Sequence, residues 1–189
     1  GSNKVGVVGG MDVPVIRSFV SGYMAGVKYV NPEAEVLVSY VGDFGNPAKG
    51  KETALAMYDR GADIVYHAAG GTGLGVFEAA KDVDRYAVGV DIDQTVIDPE
   101  HIVASSVRKL DQLIFDIIKD YQETGQFEPG AHYHGLKENA LEYKVSEAVD
   151  IDPAIIENVE ELREKIISGE LVIPDKVEDV DEFLSQNKQ

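Results

Sequence analysis

The sequence of 189 residues contains no cysteine. That excludes disulfides, thiolate metal sites and a cysteine nucleophile. It leaves the compartment open, because a chain without cysteine is indifferent to redox surroundings. No run of about 18 apolar residues occurs, so no segment reads as a membrane-spanning helix. No signal peptide opens the chain. Gly1-Ser2 reads as a cloning remnant, and the first strand pattern begins at once at Lys4-Val5. A trimmed chain is therefore expected, and the missing leader says little about the natural protein. Positive charge is also scarce: 17 Lys and Arg stand against 34 Asp and Glu, a formal net charge of −17. Such a chain repels phosphate backbones and anionic lipids, so nucleic acid is not expected as a partner. Solubility is the plain reading of that charge; a partner with a basic surface is the alternative.

A hydrophobic share of 44% is ordinary for a packed domain. The length suits one domain, or one domain with an appendage. Val5–Val8 is a short buried-strand pattern closed by Gly9-Gly10. Asp12 is a candidate N-cap and Pro14 fits a first helical turn. Ile16, Phe19, Val20, Tyr23, Met24 and Val27 then recur at helical spacing until Asn31-Pro32. Glu35–Tyr40 is a second strand, and a loop through Pro47 follows. Lys49–Arg60 reads as a helix stopped by Gly61. Further strands are expected at Asp63–Tyr66, Tyr86–Val90 and Ile102–Ser105, and a helix from the glycine-rich turn to about Asp82. Leu110, Leu113, Ile114, Ile117, Ile118 and Tyr121 mark an amphipathic helix ended by Gly125.

Strand and helix thus alternate five times with short links. The expected fold is α/β: a doubly wound parallel sheet of about five strands with helices on both faces. After Gly130 the rhythm changes. His132–Gly135 and Leu141–Val145 alternate like strands. Asp152-Pro153 caps a helix running to Gly169, Leu171–Ile173 is a short extended piece, and the acidic end is expected to fray. This tail reads as part of another lobe or as a dimer arm, with self-association through it as one outcome.

Ligands of such folds bind outside the carboxyl ends of the strands. The dominant feature there is His67-Ala-Ala-Gly-Gly-Thr-Gly-Leu-Gly-Val-Phe77. It does not meet the dinucleotide pattern G-x-G-x-x-G: a glycine comes one place early, and the stretch follows the third strand rather than the first. The phosphate-loop ending Gly-Lys-Ser/Thr is absent, and so is the G-x-S-x-G nucleophile turn. A tight turn with close helix packing accounts for these glycines as well as direct ligand contact does. Asp91 and Asp93 lack a His or Lys partner fixed by spacing. Asp91 suits acceptance of ligand hydroxyls, with capping of the next turn as the alternative. Phe44 lies between Asp43 and Gly45 with no pattern to bury it, so it either stacks on a flat ring or lids the local core. His132 and His134 alternate on one face but lack a third metal ligand, so no metal is expected. Lys109, near the end of the fifth strand, either reaches a ligand or is solvated.

Four segments in order carry a resemblance: Val5-Gly-Val-Val-Gly-Gly-Met-Asp-Val-Pro14, Tyr40-Val-Gly-Asp-Phe44, Ala68-Ala-Gly-Gly-Thr-Gly-Leu-Gly-Val-Phe77 and Gly89-Val-Asp-Ile-Asp-Gln94. Over residues 4 to about 145 the chain resembles the basic membrane protein family. Its members are substrate-binding lipoproteins of bacterial ABC transporters, purine nucleoside receptors among them. The resemblance implies one lobe of a type I periplasmic binding protein, the second of two that clamp a ligand. Residues 4–130 would be that lobe, and residues 131–189 a return segment belonging to the absent first lobe. It implies no chemistry and no cofactor, an ABC permease as partner, and an extracytoplasmic, lipid-anchored location. Phe44 would stack on a base, Asp91 would bind ribose hydroxyls, and Gly70 and Gly71 would approach through backbone. Met11 and Lys109 are secondary carry-overs. A small-molecule-sensing regulator with the same lobe is the alternative, and a nucleotide-cofactor enzyme is a third reading.

Overall fold

A computed structural model describes residues 1–127 and 129–187. Glu128, in the expected lobe, and residues 188 and 189, in the expected return segment, lie outside the described residues.

Consecutive strand residues face opposite sides, so Val7 and Val8 lie on opposite faces of β1 (Lys4–Gly9), and both are fully buried. A strand buried on both sides needs helices on both sides. α1 (Pro14–Val30) covers one face, where Ile16 and Val20 meet Val7, Tyr66 and Ala68. α2 (Pro47–Asp59) and α3 (Gly73–Asp82) cover the other, where Ala54, Met57, Val76 and Phe77 meet Val8 and Leu37. The remaining strands are β2 (Glu35–Tyr40), β3 (Ile64–Ala68), β4 (Tyr86–Gly89), β5 (Ile102–Arg108) and β6 (Leu141–Val145). The sheet order is β2-β1-β3-β4-β5-β6. The first five strands are parallel and β6 joins β5 antiparallel. The doubly wound α/β expectation holds, with a sixth strand added.

Local capping explains two shifted helix starts. Asn46 accepts the Lys49 N–H at 3.1 Å, and Pro47 occupies the first turn, so α2 starts two residues before the expected Lys49. Asp12 is not the N-cap of α1. Val13 holds that position without a side-chain bond, and both Asp12 oxygens are taken by Arg17, at 2.5 and 2.9 Å. A bidentate guanidinium outcompetes a backbone N–H for the same carboxylate.

The alternation of strand and helix also breaks once. Residues 90–101, between β4 and β5, run as turns, so the fifth strand arrives without a crossover helix.

The chain after β5 departs most from expectation. α4 (Leu110–Thr124) has no buried residue, and Ile114, Phe115, Ile118 and Tyr121 are each more than half exposed. Residues 109–140 leave the sheet and come back at one point: the Lys109 N–H donates to the Ala140 carbonyl at 2.9 Å, beside the Arg108–Leu141 pair. His132–Gly135 is not a strand. The tail from Leu141, expected to pack on an absent lobe, packs here. β6 extends this sheet, and Tyr143 donates to Glu160 on α5 (Pro153–Ser168) at 2.6 Å. The acidic end does not fray through residue 186: Val180 and Phe183 of α6 (Val180–Gln186) are buried with Ala25 of α1 and Leu171. Apolar burial outweighs the acidic repulsion there.

Candidate functional site

In a sheet ordered 2-1-3-4-5 the connections reverse direction between β1 and β3, and a crevice opens at their carboxyl ends. Gly10 ends β1 and Ala69–Gly71 follow β3. The loop after β2 leans over both. The Gly42 and Asp43 N–H groups donate to the Gly10 carbonyl at 2.7 and 3.0 Å. The Phe44 ring packs against Gly10: a Cβ there would meet ring atom Cδ1 at 2.3 Å. Gly70, at φ +55°, is also beside this residue: a Cβ there would lie 3.3 Å from the Phe44 carbonyl oxygen. Thr72 fixes this arrangement. Its N–H donates to the Phe44 carbonyl at 3.0 Å, its Oγ1 donates to the Asp43 carbonyl at 2.9 Å, and the Asn46 N–H donates back to Oγ1 at 2.9 Å. Phe44 remains 38% exposed. The ring is partly exposed, and its loop is held by hydrogen bonds to its backbone at the switch point.

The glycine stretch divides into two parts. Gly73 and Gly75 serve packing. A Cβ on Gly73 would fall 2.1 Å from Nδ1 of His67, and one on Gly75 would fall 1.9 Å from the Pro47 carbonyl of α2. Gly70 and Gly71 are exposed on the crevice side beside Phe44. His67 is fully buried on β3 and meets Phe77 edge-on, ring centroids 4.9 Å apart. Its Nε2 lies 3.0 Å from Gln94 Oε1. Burial pushes its pKa down to about 4, against the raising effect of the Gln94 bond. The ring is neutral at pH 7.

Asp91 follows β4 with φ +70°, a left-handed conformation Asp tolerates better than most residues. Its Oδ1 lies 2.7 Å from an Nη of Arg108 at the end of β5, and its carbonyl accepts the Arg108 N–H at 3.0 Å. Asp91 is not a capping residue. A carboxylate keeps about four acceptor directions, and one guanidinium contact leaves the others open. Asp93, by contrast, closes its own turn by accepting from the Thr95 N–H and Oγ1. Asp91, Arg108 and Lys109 border a hollow of about 870 Å³ with Asp116 and Glu142.

Met11 is exposed just beyond β1. Lys109 is engaged elsewhere: it donates to Asn139 Oδ1 at 2.9 Å and pairs with Glu142 at 3.3 Å. Arg108, the neighbour of the expected Lys109, is the cation that meets Asp91. Arg108 is the last residue of β5 and reaches Asp91, while Lys109 lies beyond the strand and turns to Asn139 and Glu142. Gln94 and His67 were also passed over; a buried His inside an apolar strand was the available signal. No group of three or more metal-ligating side chains occurs among the described residues, and His132 and His134 form none. No helix among the described residues is long and apolar enough to cross a membrane.

Comparison with known proteins agrees with this architecture. Basic membrane protein D of Borreliella burgdorferi is 40% identical over 190 residues, which cover 98% of this chain and 55% of that protein. The ABC transporter nucleoside-binding protein BmpA of Lactococcus lactis is 33% identical over 193 residues, 93% of this chain and 54% of that protein. A solute-binding protein of an ABC transporter system from Aeropyrum pernix superposes with a TM-score of 0.81 at 30% identity, covering 98% of this chain and 61% of its own. A transcriptional activator of the comK gene from Bacillus halodurans gives 0.80 at 27% identity, over 92% and 59%. The chain spans about half the length of the curated relatives it matches. Residues 1–177 match the family described as ABC transporter substrate-binding protein, PnrA-like. The chain belongs to this family of substrate-binding proteins, the basic membrane protein family.

Proposed function

We propose that this chain forms one wall of the cleft of an ABC-transporter substrate-binding protein that captures a purine nucleoside or similar small molecule and performs no chemistry on it. The observation that carries this reading is Phe44: an aromatic ring, fixed by Thr72 yet open to solvent, at the switch point of an α/β sheet. Such a ring suits stacking on a flat base. Asp91, steadied by Arg108, suits ribose hydroxyls, and Gly70 and Gly71 allow close backbone approach. Met11, exposed just beyond β1, is assigned to the same wall. Lys109 is a support of the wall rather than a ligand contact. The relative named as nucleoside-binding supports the ligand class.

The packing supports a lobe division different from the expected break at residue 130. Residues 4–108 and 141–187 pack together, and residues 109–140 form an excursion that reaches the other half of the full protein. That protein would be extracytoplasmic, lipid-anchored and served by a permease. The test is calorimetric titration of the two-lobe protein with guanosine, adenosine and their free bases. Saturable binding lost in Phe44→Ala would support the reading; no nucleoside binding at any concentration would overturn it.

A sensing regulator is the second reading, favoured by the likeness to the activator from Bacillus halodurans. With a charge of −17, DNA contact would fall to another segment. Ligand-dependent retardation of DNA by the two-lobe protein would select it.

A further inference from the structure

Behind the strand ends, on the α1 side of the sheet, lies a cavity of about 500 Å³. Its floor is the sheet, with Tyr66 and Tyr143, and its sides are α1 and α5. Tyr23 of α1 stacks on Tyr66 with ring centroids 5.1 Å apart. This volume lies within the range of small-molecule pockets, and a lining of aromatic rings with few polar groups is typical of them. The polar groups present are unequal in sign. Two guanidiniums, Arg108 and Arg163, line the cavity. The one carboxylate in the lining, Glu142, is held by Lys109 at 3.3 Å and Lys144 at 3.2 Å. In a chain of net charge −17, a cavity lined by two arginines is a local exception.

Arg108 is also prepared for a ligand. One Nη is fixed by Asp91 at 2.7 Å, and the guanidinium carbon stands 5.7 Å from the centroid of the Phe19 ring. Its Nε is buried and has no hydrogen-bond partner among the described residues, and neither has Asp91 Oδ1 beside the guanidinium, so the ion pair leaves that donor unused. A buried donor without an acceptor is costly, and an anionic group reaching it would relieve that cost. Arg163 is steadied by Glu160, which Tyr143 also holds.

We propose that this cavity is a second ligand site, adjoining the strand-end crevice through Arg108, that takes a small ring-containing organic anion. Its rings would lie against Tyr23, Tyr66 and Tyr143, and its carboxylate or sulfonate would meet Arg108 and Arg163.

The test uses anilinonaphthalene sulfonate as probe, followed by its fluorescence in the presence of this chain. One saturable site per chain is expected. The Val159→Trp variant, which fills the cavity from the exposed side of α5, should weaken binding at least tenfold. Arg163→Gln should weaken it severalfold, and neutral N-phenylnaphthylamine should bind at least tenfold more weakly than the sulfonate. Because α4 exposes apolar residues of its own, Ile114→Asp serves as the control and should leave binding unchanged. Loss of the signal in Ile114→Asp, its persistence in Val159→Trp, or equal affinity for the neutral analogue would each overturn the proposal. Thermal unfolding of each variant checks that it is folded. Nucleoside affinity plays no part in the readout, so this site and the proposed function fail separately.

Discussion

Gln94 Oε1 accepts from His67 Nε2 at 3.0 Å and from the Val90 N–H at 2.8 Å, so one side-chain oxygen ties the buried end of β3 to the loop that carries Asp91. The histidine, kept neutral by burial, carries its proton on Nε2. This follows from Gln94 Oε1, which also accepts the Val90 N–H.

That neutrality makes stability pH-dependent. His67 has a folded pKa of about 4, below its usual 6.5, so between those values the unfolded chain binds the extra proton. The contribution is fully present above pH 6.5 and is lost as pH falls towards 4. Its upper bound is roughly 3 kcal/mol. Urea midpoints measured from pH 7 to pH 4 should fall across that window. In His67→Gln, which keeps a donor but does not titrate there, the slope should flatten. An unchanged slope would assign the effect to other groups.

Gly75→Ala should destabilise the fold although it lies in a helix. Helix propensity favours Ala by about 1 kcal/mol. The new Cβ, however, would fall 1.9 Å from the Pro47 carbonyl and 2.6 Å from the Lys51 nitrogen, both backbone atoms that cannot swing away. Overpacking of this kind costs about 1–3 kcal/mol. A lower urea midpoint is the expected result, and a higher one would show that α2 and α3 can separate freely.

Phe44→Ala should weaken nucleoside binding by the two-lobe protein by about 1–3 kcal/mol, the usual range for a base stacked on an aromatic ring. Stability should change little, because the ring is well exposed and the loop is held by Thr72 through backbone atoms. Calorimetry and denaturant unfolding on the same variant separate the two effects.

Asp91→Asn removes the charge opposite Arg108 while keeping shape. Hydrogen bonds to charged groups contribute about 1.5–3 kcal/mol. Guanosine should lose that much affinity and guanine much less, since only the riboside offers hydroxyls. Equal losses would limit Asp91 to holding Arg108 in place.

Ile118→Asp on α4 should leave this chain within about 0.5 kcal/mol of its original stability, as expected for a half-exposed residue on a helix with no buried position. In the two-lobe protein the same change should be markedly destabilising, because the proposed lobe division has α4 covered there. Equal behaviour in both would refute that division.

The parallel core from β1 through β5 was legible in the sequence because its signals are local. Val7 and Val8 alternate, Ile16 and Val20 recur at helical spacing, and Gly61 and Gly125 stop helices where the backbone turns left-handed. The crevice was legible as well, since strand ends follow from strand order. Three matters depended on partners far along the chain. Leu141–Val145 has a strand pattern, but nothing local says that β5 is its neighbour. The roles of the glycines separated only when Pro47 and His67 came beside Gly75 and Gly73. The choice of Arg108 over Lys109 as the partner of Asp91 depended on where β5 ends and on Asn139 and Glu142, which engage Lys109. Periodicity is a property of neighbours in sequence and fixes what each segment is. Pairing, close approach and charge compensation are properties of neighbours in space, and only the tertiary structure decided them.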